Sequence, residues 1–137
     1  MTTISTYTIL TYMKSKFPKL EKYLKNGVVD KSSKYSIGII QGSDTRSKGN
    51  LAIGGIDCTV VKMLPVNIKL RWCDNQQGSD DMSIDIYNKL LLQPDNFMIG
   101  DVKIAYIEML DGCPINLGRD DKNVCESIIR ANFYYYV

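Results

Sequence analysis

The chain contains no histidine. That removes the usual general base near neutral pH, the commonest metal ligand and every Ser-His or Cys-His nucleophile pair. Cysteine is sparse and scattered. Cys58, Cys73, Cys113 and Cys125 form no Cys-x-x-Cys pair, so neither a zinc site nor a thioredoxin-like motif is expected. Spacing alone leaves disulfides open, whereas synthesis in a reducing cytoplasm favours free, mostly buried thiols. No run approaches the ~18–20 apolar residues that cross a bilayer. The N-terminus lacks the basic, apolar and small-residue order of a signal peptide, so the expectation is cytoplasmic synthesis without export through a membrane channel. Glycine-rich phosphate cradles are missing too: Gly49, Gly54 and Gly55 fit neither a Gly-Lys-Ser/Thr nor a Gly-x-Gly-x-x-Gly pattern and read as turn glycines.

Acid is scarce in the first part of the chain. Residues 1–50 hold nine Lys/Arg against three Asp/Glu, a charge of +6; residues 51–137 hold eight against twelve, a charge of −4, and together they give +2. A chain polarised in this way suits head-to-tail association with copies of itself, or a basic surface beside nucleic acid; a simply solvated lysine face is the plainer account. At 137 residues, with 45% hydrophobic and 23% charged residues, the chain reads as one globular domain over 1–137.

Hydrophobic periodicity places the elements. Residues 2–25 read as helical, with Ile9, Met13, Phe17, Leu20 and Leu24 in a stripe, a break at Pro18 and a stop at Asn26-Gly27. Residues 35–41 read as a strand, and 42–57 as a long polar loop or an excursion of two strands, carrying Arg46 and Lys48. A second strand spans 58–73, with Leu64, Val66, Ile68, Leu70 and Trp72 on one face and Asn67, Lys69 and Arg71 on the other. Pro65 marks a bend, a bulge or an edge position near its start. Asp74 through Gly78 reads as a turn. A helix follows, with Ser79 or Asp80 as its N-cap, Asp80, Asp81 and Asp85 near its positive end and Met82, Ile86, Leu90, Tyr87 and Leu91 buried; Pro94 closes it. Residues 102–110 form another strand. The terminal run 124–137 alternates Ile129, Ala131, Phe133, Tyr135 and Val137 with Ile128, Arg130, Asn132, Tyr134 and Tyr136, a strand of unusual length. Together these predict an α+β fold, a mostly antiparallel sheet of about four to five strands with two main helices packed on it.

The acidic pairs Asp80-Asp81 and Asp120-Asp121 are the only metal candidates. Helix N-terminal charge accounts for the first and a polar turn for the second, and EF-hand spacing is absent. Neither metal, cofactor nor catalytic residues are expected. Tyr135 packs in the core with Phe133, while Tyr134 and Tyr136 share the opposite face, where a tyrosine pair suits a protein interface.

Taken in order, several segments resemble one family. They are the helix ending at Phe17-Pro18, Ile53-Gly54-Gly55, the strand Val66-Asn67-Ile68-Lys69-Leu70-Arg71-Trp72 and the helix with Ile86-Tyr87-Asn88-Lys89-Leu90. Pro114-Ile115-Asn116-Leu117-Gly118-Arg119-Asp120-Asp121 and the strand ending Phe133-Tyr134-Tyr135-Tyr136 complete the set. The chain resembles the small minor capsid or tail terminator proteins of long-tailed bacteriophages over nearly its whole length. Leu117-Gly118 through Asp121, followed by a Glu126-bearing, aromatic-ended strand, is the most specific part. It departs from the family pattern at Arg119, where a small residue is usual, and at Lys122-Asn123, where a glycine is usual. The resemblance implies a non-enzymatic virion subunit at the neck–tail junction that forms a ring, typically a hexamer. Such a ring caps the tail tube, stops its polymerisation and faces the head connector or stopper protein. DNA passes through its lumen without sequence-specific binding, and no membrane is involved. Interface candidates are then Arg46, Lys48, Arg119, Asp120, Asp121, Tyr134 and Tyr136. Another neck ring protein, for head completion or as a stopper, and a small DNA-binding module using the basic N-terminal helix are the alternatives.

Overall fold

The computed structural model describes residues 3–43 and 61–137. The order is α1 (Thr6–Lys16), a 3-10 helix (Pro18–Tyr23), β1 (Leu24–Asn26), β2 (Tyr35–Gln41), β3 (Val61–Trp72), α2 (Gln76–Leu91), β4 (Phe97–Ile99), β5 (Val102–Met109), β6 (Ile115–Arg119) and β7 (Cys125–Tyr136). Arg46, Lys48 and the glycines at 49, 54 and 55 lie outside the described residues, as does nearly all of the 42–57 stretch.

The fold is α+β. Among the described residues its sheet has seven strands rather than four or five, and it is mixed: the path β1-β2-β3-β7-β5-β4 starts with a parallel β1–β2 pair, the other described pairs being antiparallel. The additional strands are short. Leu24 belongs to β1 and not to a helical stripe, because Pro18 removes an N–H donor, the 3-10 turn runs out at Tyr23 and the chain extends alongside β2. β4 is the first arm of a hairpin turned at Gly100-Asp101, with Gly100 at φ +57°. β6 lies beside the first part of β7, whose second part pairs with β5. β5 and β6 therefore flank β7 in succession, separated by the outward excursion 110–114.

β7 is the axis of the molecule. It pairs with β3 from Arg71↔Glu126 to Val61↔Tyr136. Its alternation sets two faces. Ile129, Ala131, Phe133 and Tyr135 are buried with Ile68 and Leu70 of β3, Ile37 and Ile39 of β2, Ile9 and Met13 of α1, and Ile86 and Leu90 of α2. Both helices thus cover the same face. Pro65 fits inside β3 because its C=O accepts from Gly42 N–H at 2.9 Å, so its nitrogen points to the β2 side, just beyond the last β2 pair at Gln41↔Val66.

The second helix starts earlier than its sequence suggests. Asn75 is the N-cap, its Oδ1 accepting from Gln77 N–H at 3.0 Å, so residues 76–78 are helical and not a turn. Asp80 and Asp81 therefore sit beyond the first turn, where they accept from the side chains of Gln76 and Gln77 at 2.8 Å each. Leu91, expected in the buried stripe, is 53% exposed; Ser79 and Ser83 are buried in its place.

Candidate functional site

The face of the sheet away from the helices carries the polar and aromatic side chains. At the β5/β7 end, Tyr106 and Tyr134 stack with ring centroids 4.4 Å apart and planes within 15°. They meet because a bulge between Ile104 and Tyr106 shifts β5 by one residue, setting Tyr106 directly opposite Tyr134. Glu108 accepts from Asn132 Nδ2 at 2.9 Å and from the Tyr134 hydroxyl at 3.1 Å. Tyr136 donates to Asn96 Oδ1 at 3.1 Å, and Lys103 Nζ stands 5.3 Å from the centre of its ring. The result is a half-exposed aromatic ladder held by its own hydrogen bonds.

Midway along β7, Arg130 makes a two-pronged contact with Asp111 at 2.7 and 2.9 Å. Asp111 C=O accepts from Tyr87 Oη at 2.6 Å, so the excursion 110–114 is tied both to β7 and to α2. The Arg130 hydrogen bonds hold the Asp111 carboxyl below the usual carboxylate range, against a smaller desolvation effect of opposite sign.

At the far end is a closed polar corner. Arg71, on the β3 face opposite the apolar stripe as its alternation predicts, is 1% exposed. The segment 28–33 folds back over β2: Asp30 N–H donates to Ser36 Oγ at 2.9 Å, and Arg71 donates to Ser33 C=O. On the other side Arg71 meets Asp120 Oδ2 through Nε at 2.8 Å and through a second guanidinium nitrogen at 2.7 Å. Asp120 Oδ1 also accepts the N–H groups of Lys122 and Val124, at 2.9 and 3.0 Å. The Val124 N–H is the main cause of its lowered pKa, with Arg71 and Lys122 adding to it and desolvation opposing.

The site residues expected from sequence therefore separate. Asp120 is spent on the corner. Arg119 is exposed and donates to the carbonyls of Asp74 and Asn123, at 2.7 and 3.2 Å, so it too braces the turn. Asp121 is exposed. Tyr134 and Tyr136 do share a face, but at the other end of β7. Arg119 pairs with Cys125, eleven residues from Tyr136, or roughly 36 Å at ~3.3 Å per strand residue. Tyr106, Glu108 and Arg130–Asp111 complete the face and were not singled out from sequence; only the bulge aligns Tyr106 with Tyr134, and no residue pattern announces it. Among the described residues no group of three or more Cys, Asp or Glu side chains is arranged to hold a metal ion. No helix among them is long and apolar enough to cross a membrane.

No family model, no curated protein and no solved structure matches the chain.

Proposed function

We propose that the chain is a structural subunit of the neck of a long-tailed bacteriophage, forming a ring that caps the head-proximal end of the tail tube, stops its growth and offers a surface for head joining. One observation carries the reading. The segments holding the most specific part of the resemblance, Leu117 through Asp121 and the aromatic-ended strand, form a single unit: β6, the Asp120 turn and β7, locked by Arg71. That unit sits in a sheet whose two described helices lie on one side, with the half-exposed Tyr106–Tyr134 stack on the other, where tyrosine suits a partner. Infected cells lacking the protein are expected to accumulate filled heads and unjoined tails of uncontrolled length. Normal tail length and normal joining in its absence would contradict the proposal.

A second reading is favoured by a different feature. Lys14, Lys19, Lys22 and Lys25 line one groove with Glu21, Pro18 and Leu24, which suits a nucleic-acid backbone. It predicts DNA binding by the isolated subunit, steeply weakened by salt.

A further inference from the structure

Among the described residues the sheet does not close, and its two outer strands differ in charge. β1 and β4 end the six-strand path, and each pairs on one side only among the described residues. They are five strand spacings apart, roughly 24 Å at ~4.8 Å each. Beside β1 stand the exposed Lys22 and Lys25, with Val28 60% exposed just after it. Flanking β4 are the exposed Asp95 and Asp101, with Met98 58% exposed in the strand itself. An open edge with an exposed apolar side chain is a template for another strand, and edges are usually blunted by like charge. Here the two edges carry opposite charges. A β1 edge therefore repels another β1 edge and attracts a β4 edge.

We infer that the occupant of each edge is a second copy of this chain, the β4 edge of one copy docking on the β1 edge of the next. Such a contact is heterologous: it uses two different patches, and it repeats until a ring closes or a filament grows. Lys22 and Lys25 face Asp95 and Asp101 of the neighbouring copy, while Met98 and Val28 supply apolar contact. The inference refines the ring-forming part of the function proposed above and rests on that reading for its biological use. It stands or falls, however, on the purified protein.

The test is a charge swap. Wild-type protein should show concentration-dependent association in sedimentation velocity. K22E/K25E carries two acidic edges and D95K/D101K two basic ones, so each alone should associate roughly tenfold or more weakly. Mixing the two variants should restore association, because each acidic edge then meets a basic one; the quadruple variant should also recover. In a Cys58→Ser/Cys113→Ser background, N26C/M98C should oxidise to inter-chain disulfides only, since the two positions are too far apart within one copy. Wild type that stays monomeric at every concentration, or reversal variants that associate as wild type does, overturns the inference. So does failure of the mixture to recover, as when K22E/K25E loses only salt-sensitive DNA binding. Tail capping by protein whose edges prove irrelevant would leave the neck reading standing and remove this contact alone.

Discussion

Arg71 brings a full charge into a corner that excludes water, and it is tolerated there because its guanidinium donors find partners on both sides. Arg71→Ala leaves the Asp120 carboxylate and the Ser33 carbonyl without their donor. It should lower the thermal midpoint by several degrees, whereas Arg119→Ala, on an exposed side chain, should move it little; differential scanning calorimetry of the two variants decides this. The same corner and the Arg130–Asp111 pair set acid sensitivity. Asp120 and Asp111 both have folded-state pKa values below the unfolded value of about 3.9, so each contributes stability that is fully present well above that value. That contribution disappears as pH falls through the depressed folded values. Unfolding free energy should therefore be flat with respect to these groups from pH 7 to 5 and fall below about pH 4. In Asp120→Asn the acid-induced loss should be shallower, as read from urea melts across that range.

At the scale of elements, β2 depends on a residue without a side chain. A Cβ at Gly38 would lie 2.5 Å from Val28 C=O and 2.8 Å from Val29 Cγ2, because the segment after β1 crosses directly over it. Gly38→Ala should cost about 1–3 kcal/mol by forcing that crossing apart, measurable by denaturant unfolding. The long elements were legible in the sequence because each repeats one period: the alternation of 124–137, the strand at 35–41, the apolar side of β3 and the break at Pro18 all stand in the structure. What was not legible depends on tertiary partners. Three-residue strands such as β1 and β4 are too short to show a period and exist only by pairing with β2 and β5. The start of α2 was hidden because Gln76, Gln77 and Gly78 read as turn residues until Asn75 is seen to cap them. At the candidate site, Tyr134 and Tyr136 were visible as an outward pair, and a double change to alanine should leave the monomer folded while impairing assembly. Unchanged assembly would remove them from the interface. Alternation assigned Arg71 to the correct face, but its burial was not legible, because only the fold brings 28–33 and the Asp120 turn over that face.

For the whole molecule, the described helices lie on one side of the sheet, its outer edges carry charge and an aromatic ladder stands half-exposed on the other side. In the neck reading the edges join copies to each other, and the aromatic ladder or the ring rims meet the tube and the head. The most direct measurement is negative-stain electron microscopy of purified protein mixed with growing tail tubes, with tube length followed over time. The tail-terminator reading predicts a ring seated at one end of each tube and an arrest of growth that needs only enough protein to cap the ends. Tubes that lengthen as though the protein were absent, with no ring at either end, would contradict it.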